Sequence, residues 1–174
     1  MSTIKVDTIT KTNGSAPTLA DLSISHVGSV VQSVNFTNNT PVSTNATTNT
    51  STGIAVNITP KFASSKIYIS GFLQVKIRGD TDHGVAFKII RTLSGSNSDI
   101  YESPNALEHY FYDAASDIID MRTRVPVFAV DTPNTTSECT YTFYYKSYRT
   151  DQNNAPQMQD NGNFSHGCIQ EIKV

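Results

Sequence analysis

The chain has 174 residues, enough for one domain with its own core and for an additional segment. Only 16% of the residues are charged, and 13 basic side chains against 15 acidic ones give a net charge of −2. Because such a chain has no basic field to attract phosphates, we expect no nucleic-acid partner. Ser, Thr and Asn are abundant while Leu and Ala are scarce, so the composition favours an all-β protein with polar loops.

The sequence also contains information on export, membrane insertion and the state of the two cysteines. Its start, Met1–Lys5, lacks the long apolar segment of a secretory signal, and no apolar run is long enough to span a membrane. We therefore expect neither a secretory signal nor membrane insertion. Cys139 and Cys168 both fall in predicted strands and could be neighbours in one sheet. We interpret them as free thiols, since no export signal points to an oxidising compartment.

The first 26 residues differ from the rest of the chain. Short apolar positions alternate with polar ones and are then interrupted by a turn at Asn13-Gly14. This is too little apolar surface to fold alone. We predict an attachment or oligomerisation arm over residues 1–26 and a head domain over residues 27–174, with a strand tucked into the head as the alternative. The arm residues expected to be buried on assembly are Ile4, Val6, Ile9, Leu19 and Leu22.

The clearest strand predicted in the head is KIYISGFLQVKI, residues 66–77. Apolar and polar positions alternate along it, so one face packs on a core while the other meets solvent or a partner. The core face carries Ile67, Ile69, Leu73, Val75 and Ile77, and the opposite face carries Tyr68, Ser70, Phe72, Gln74 and Lys76. Gly71 lies within the apolar series, where it indicates a bulge or a close approach of another backbone.

Polar segments flank this strand. Residues 37–53 have no apolar period, which predicts an exposed loop or a loosely paired hairpin. A short strand follows at IAVNITP, residues 54–60. On the other side, RGDTDHG (78–84) predicts a turn and VAFKIIR (85–91) a partner strand, so we expect a hairpin here.

The second half of the head contains a weaker region and then three strands. SGSNSD (94–99) is predicted as a turn, and residues 103–121 leave room for one short helix. Strands return at VPVFAV (125–130), ECTYTFYYKSY (138–148) and GCIQEIKV (167–174). In the second of these, Cys139, Tyr141, Phe143 and Tyr145 share a face; in the last, Cys168, Gln170, Ile172 and Val174 share one face and Ile169, Glu171 and Lys173 the other.

About seven or eight strands separated by turns, without βαβ alternation, predict an antiparallel β-sandwich. Its layout is jelly-roll-like or immunoglobulin-like, and the sequence leaves that choice open. The extended arm over residues 1–26 precedes it.

The chain offers no catalytic pattern. No two of its four histidines are spaced to share a helix or strand face, and metalloprotease, nucleophile-elbow and phosphate-loop motifs are absent from the sequence. We expect a non-enzymatic protein without a metal or cofactor. Asp80 and Asp82 alternate in a turn and could offer oxygens to calcium, but further acidic ligands are missing, so a solvated turn is preferred.

The most distinctive candidate for a binding surface is EHYFYD, residues 108–113. In an extended segment Tyr110 and Tyr112 share one side, close to Glu108. Tyrosine rings beside acidic groups suit a sugar, whose apolar face stacks on the rings while its hydroxyls bond polar groups. The alternative is that these aromatic side chains fill the core, since the chain has no tryptophan.

Several short motifs follow one another along the chain. They are IKVDTI at 4–9, GSVVQSV at 28–34, ITP at 58–60, SSKI at 64–67, the turn of Asp131 and Pro133 leading to Thr140-Tyr141, and the closing Glu171-Ile172. Their order resembles the β-sandwich found in tail-fibre and other virion-associated proteins of tailed bacteriophages, particularly those of aquatic bacteria. The resemblance covers most of the chain except residues 37–52 and roughly 95–124.

The resemblance implies a virion structural protein without catalytic residues, made in the cytoplasm of a bacterial host. A short tail fibre or fibre tip fits the length, with a homotrimer, attachment to other virion proteins through the arm, and a head that recognises a host-surface glycan. Within the motif, we expect Asp131 to hydrogen-bond the turn backbone and Tyr141 to enter the core.

Two other functions stay open. A capsid decoration or cement protein would use the arm to bind coat subunits. A cellular lectin-like module would bind sugars without any particle.

Overall fold

Alternating apolar side chains turn most of the head into strands. The structure is a computed structural model that describes residues 27–79, 83–103, 109–111, 119–150 and 155–174. The strands are β1 (Val30–Asn38), β2 (Val42–Ser43), β3 (Thr50–Ile58), β4 (Lys66–Gly79), β5 (His83–Leu93), β6 (Ser96–Glu102), β7 (His109–Phe111), β8 (Ile119–Asp131), β9 (Cys139–Ser147), β10 (Gln157–Met158) and β11 (Ser165–Ile172). A 3₁₀ turn spans Asp160–Gly162. The described ranges contain no helix with the length and apolar character needed to cross a membrane.

The strands form two antiparallel sheets. Sheet A has the order β1-β11-β4-β10-β2, with β8 on the other side of β4; sheet B has the order β3-β9-β5-β6, with β7 also on β5. When the eight longer strands are numbered along the chain, sheet A places the first, eighth, third and sixth side by side, and sheet B the second, seventh, fourth and fifth. This is the strand order of a jelly roll. The all-β sandwich prediction is confirmed, and the topology selects the jelly roll.

The core lies between the sheets and is built from the faces that the sequence predicts. Ile67, Ile69, Leu73, Val75 and Ile77 of β4 are fully buried, as are Cys139, Tyr141, Phe143 and Tyr145 of β9. In β11 the buried face is the one with Ile169 and Glu171, so a carboxylate stands on the core side of the sheet.

Gly71 marks a close approach of backbones, which confirms one of the two predicted roles. It pairs directly with Gly167 of β11, and the register runs through it without a bulge. A Cβ on Gly71 would lie 2.5 Å from the carbonyl oxygen of His166 and 2.8 Å from the Cα of Gly167. The ring of Phe36 occupies the space beside the two glycines and packs against Phe143 of sheet B, with centroids 5.0 Å apart.

The predicted hairpin of β4 and β5 is wrong. β4 lies between β11 and β8 in sheet A, whereas β5 lies between β9 and β6 in sheet B. Each strand has one strongly apolar face, and the fold buries these faces against each other across the core instead of side by side in one sheet. Sequence adjacency and alternation are the same in both arrangements, so the pattern could not separate them.

Three smaller predictions also change. Residues 94–99 are mostly strand: Ser94 and Gly95, both with positive φ (50° and 80°), make a two-residue turn from β5 into β6. The loop predicted over residues 37–53 contains β2 and the start of β3. Cys139 and Cys168 are free, as expected, but they lie in different sheets and are not neighbours in one.

Of the region with a possible helix, residues 109–111 form β7 and residues 104–108 and 112–118 lie outside the described residues.

Asp131 ties the two sheets together. It ends β8 in sheet A, and its oxygens lie 2.8 and 2.6 Å from Nη1 of Arg91 on β5. The hydroxyl of Tyr141 on β9 donates to the same carboxylate at 2.7 Å. Tyr141 therefore enters the core as predicted, while Asp131 bonds across the sandwich and not to its own turn. Burial, and then the bond to Asp131, raise the pKa of Tyr141.

Glu171 holds the crossover from sheet B to sheet A. Its side chain is fully buried. Oε1 accepts hydrogen bonds from the backbone N–H groups of Lys61 (2.8 Å) and Phe62 (3.1 Å) and from the hydroxyl of Ser65 (2.7 Å). Oε2 accepts one from Nε2 of Gln32 at 2.6 Å. Four donors thus compensate a buried carboxylate, and the ITPKFASSK segment is the loop that supplies three of them.

We expect the hydroxyl of Tyr141 to stabilise the fold. Tyr141→Phe should lower the free energy of unfolding by about 2 kcal/mol, because it removes a buried hydrogen bond to a carboxylate. Tyr145→Phe is the matched control, since Tyr145 lies on the same face of β9 and its buried hydroxyl has no partner among the described residues. Its stability should equal or exceed that of the wild type in urea unfolding. Equal losses in both variants would contradict the role of the Asp131 bond.

Glu171→Gln should destabilise the protein by about 3 kcal/mol, because the charge that attracts four donors is lost and one amide hydrogen then faces donors. Glu138→Gln, at an exposed position just before β9, should change stability by less than about 0.5 kcal/mol. Thermal and urea unfolding measure both. A neutral Glu171→Gln would contradict the role of this carboxylate.

Candidate binding face

The outer face of sheet A exposes large apolar side chains. Phe72 of β4 is 42% exposed, and Phe128 and Val130 of β8 are 63% and 41% exposed. Alternation explains this: Val125, Val127 and Ala129 point into the core, so the residues between them point outward. A sheet face that meets only water rarely carries such a group, which makes this face a candidate for contact with a ligand or partner.

An aromatic depression lies on this face, with a volume of about 660 Å³. Small residues Ser70 and Cys168 and the glycine pair form its floor, while Phe72, Pro126, Phe128 and His166 surround it. The rings support one another: Phe72 meets His166 edge to face with centroids 5.3 Å apart, and Phe128 meets Tyr68 at 6.2 Å.

A polar cleft of about 200 Å³ adjoins the aromatic depression along β4 and β8. It is lined by Gln74, Arg122, Thr123, Arg124 and Asn163. Nε of Arg122 lies 2.6 Å from Oδ2 of the buried Asp160, so this guanidinium is held in place. Arg124 is exposed and has no carboxylate partner among the described residues.

Gln74 is buried although it lies on the outward side of β4. The ladder on that side of β4 is interrupted between β11 and β10. In the gap, the backbone N–H of Gln74 donates to Oγ of Ser165 (2.9 Å), and its carbonyl accepts from the N–H of Gln159 (3.2 Å). Gln74 as a whole residue is 4% exposed.

The residues predicted from sequence lie largely elsewhere. Tyr110 is in β7, paired with Gly84 at the start of β5 in sheet B. Tyr112 and Glu108, the two aspartates of the predicted turn, Asp80 and Asp82, and the whole arm with Ile4, Val6, Ile9, Leu19 and Leu22 lie outside the described residues. Their predicted roles remain predictions. Within the part of the chain that the structure describes, no three His, Cys, Asp or Glu side chains cluster as metal ligands would.

Sequence reasoning missed the outer face of sheet A, although signals for it exist. Phe72 interrupts the polar face predicted for β4, and VPVFAV is apolar at every position, so one of its faces had to be apolar and outward unless β8 was buried on both sides. The position of β8 beside β4 places Phe128 next to Ser70 and Pro126 next to Phe72. That register is the information the pattern lacked.

The two thiols differ in their surroundings. Cys139 is buried in the core, and this burial raises the pKa of its thiol. Cys168 is half-buried at the floor of the aromatic depression, with Sγ 3.5 Å from Oγ of Ser70.

No protein-family model and no curated protein matches this chain. Among solved structures, it is similar to the VP2 subviral particle of infectious bursal disease virus, with 11% identity and a TM-score of 0.42 over 83% of this chain and 34% of that one. T=1 particles derived from the same virus give 9% identity and a TM-score of 0.40, over 83% of this chain and 33% of that one. An insecticidal delta-endotoxin of Bacillus thuringiensis gives 15% identity and a TM-score of 0.36, over 77% of this chain and 19% of that one. The chain spans about a third of the length of the first two and less of the third, and similarities this low indicate neither a family nor a function.

In the native protein we expect one thiol to react quickly with a small aromatic disulfide reagent and the second only after unfolding. Cys168→Ser should remove the fast reaction and Cys139→Ser should leave it, because a buried thiol is shielded and protonated. Absorbance of the released thiolate measures both rates. Two fast thiols, or a fast Cys139, would contradict the different burial of the two residues.

Proposed function

We propose that this protein is a structural component of a virion, a short tail fibre or fibre tip, whose head binds a host-surface glycan through the outer face of sheet A. The exposed aromatic depression carries the binding part of this proposal. The order of motifs that resembles phage tail-fibre proteins supports the virion part. A jelly roll serves in capsid proteins and in lectins alike, so the fold accommodates both parts without requiring either.

The chemistry of the face fits a sugar. The rings of Phe72 and Phe128 stand beside amide, hydroxyl and imidazole groups from Asn35, Ser70 and His166 around one depression. Aromatic rings stack on the C–H face of a pyranose while the polar groups bond its hydroxyls. The hydrogen bonds to Glu171 and Asp131 hold the sheet beneath this surface in place. The aromatic rings therefore need little reordering on binding.

The arm completes the proposal. Residues 1–26 precede Val27, the first described residue of the head, and we propose that Ile4, Val6, Ile9, Leu19 and Leu22 are buried between copies of the chain, as a homotrimer, and against other tail proteins. In a cement protein the same arm would bind coat subunits instead. Cryo-electron microscopy of purified particles tests the location: density for the head at the tail supports a fibre, and density spread over the shell overturns it in favour of the cement role.

Phe128→Ala should weaken binding of the purified head to surface polysaccharide of the host bacterium by about tenfold, because stacking by one ring is lost. Tyr148→Ala removes an exposed ring beyond the end of β9, in sheet B, and should leave binding unchanged. Biolayer interferometry on immobilised polysaccharide measures both. Binding that is unaffected by Phe128→Ala would contradict recognition through this face.

A further inference from the structure

The polar cleft contains a buried acceptor that the protein does not satisfy. Among the described residues, Oε1 of Gln74 has no hydrogen-bond partner. The neighbouring backbone groups are satisfied by Ser165 and Gln159, so the deficit is confined to the side chain. A buried acceptor without a donor costs about 1–3 kcal/mol. Gln74 lines the polar cleft, and although Oε1 itself is shielded from solvent, a rotation of the terminal amide would bring it to a bound hydroxyl group.

Among the described residues, Arg124 is a cation of the same cleft without a carboxylate partner. Arg124 stands directly opposite Gln74 in the β4–β8 ladder, while Arg122 is engaged by Asp160. A guanidinium presents paired N–H donors that match a carboxylate. Asn163 also lines the cleft. Its Nδ2 donates to the carbonyl of Asp160 at 2.7 Å, a bond that leaves the amide oxygen as a further acceptor.

These groups together select a ligand. A simple anion would bind Arg124 but leave the Gln74 acceptor unsatisfied, and a neutral sugar would leave the guanidinium without a partner. We infer that the polar cleft binds a carboxylate-bearing sugar unit of the hexuronic acid class, with its carboxylate on Arg124 and a hydroxyl on Gln74. This rests on the proposed glycan recognition and adds the class of sugar.

The location of the cleft is consistent with one continuous site. Phe72 and Gln74 are two residues apart on the same side of β4, or about 7 Å. A glycan with its acidic unit in the polar cleft therefore places its next unit on the aromatic depression. The carboxylates of Asp120 and Asp160 pair with Arg122 at 3.9 and 2.6 Å, and among the described residues no carboxylate pairs with Arg124.

Titration of the isotope-labelled full chain with methyl β-glucuronoside, followed by NMR, tests the inference. The side-chain signals of Gln74 and Arg124 should shift, and the acid should bind at least about tenfold more tightly than methyl β-glucoside, which lacks only the charge. Arg124→Gln should abolish this difference. Arg149→Gln, an exposed arginine beyond β9 in sheet B, should keep it. Gln74→Leu should weaken binding of the glucuronoside. Its free energy of unfolding should equal that of the wild type.

Other outcomes would overturn the inference in distinguishable ways. If both glycosides bind equally and Phe128→Ala weakens both, glycan recognition stands and the preference for an acidic sugar is wrong. If acetate or a tetraglutamate peptide binds as tightly as the glucuronoside, the cleft is a site for anions or acidic peptides. If neither glycoside binds, the inference fails, while the proposed glycan recognition is decided separately by the polysaccharide binding of the wild type and of Phe128→Ala.

Discussion

Two buried carboxylates in one row of sheet A close an end of the sandwich. Glu171 and Asp131 flank Ile67 on neighbouring strands, and Gln32 extends the row to β1. Each carboxylate reaches beyond its own sheet: Glu171 to the crossover from β3 to β4, and Asp131 to Arg91 and Tyr141 of sheet B. Burying a charge costs several kcal/mol of folding free energy unless hydrogen bonds or an opposite charge compensate it. Since the compensating groups come from the crossover and from both sheets, these elements must form together.

This constraint also fixes register. A shift of β11 by one residue would turn Glu171 to the outer face and leave the N–H groups of Lys61 and Phe62 without their acceptor. The motifs that resemble phage virion proteins fall at these points. SSKI supplies the hydroxyl of Ser65, the D-x-P turn begins with Asp131, and the closing Glu171-Ile172 supplies the second carboxylate. The resemblance is therefore a resemblance of scaffold.

With the core face determined in this way, the outer face of sheet A can carry other chemistry. β8 pairs with β4 and, among the described strands, with no second neighbour. Pro126 in the middle of this edge strand lacks an N–H and limits the addition of further strands. Exposed aromatic side chains can thus persist here with a lower risk of edge-to-edge aggregation. The glycine pair lets the backbones of β4 and β11 approach closely beneath this depression, whose lining includes Ser70 and Cys168.

The sequence by itself determined what local alternation controls. The inward faces of β4 and β9 follow from which residues stand two positions apart, since side chains of a strand alternate whatever its partners are. The two-residue turn into β6 was also readable from Ser94-Gly95, although the polar composition concealed the strand. Pattern alone supplied the β-sandwich class as well, because strands with one apolar face must bury it against a second layer.

Only the tertiary structure decided which strands are neighbours. It separated β4 from β5, chose the jelly roll, and brought Phe72, Phe128, Gln74 and Arg124 onto one face. The motif EHYFYD was the visible aromatic cluster in sequence, whereas the aromatic depression is assembled from four strands that are distant in sequence, β1, β4, β8 and β11. Strand pairing depends on long-range contacts and on the compensation of Glu171 and Asp131, and neither leaves a periodic trace in the sequence. A binding face made by pairing is therefore a property of the fold and not of any segment.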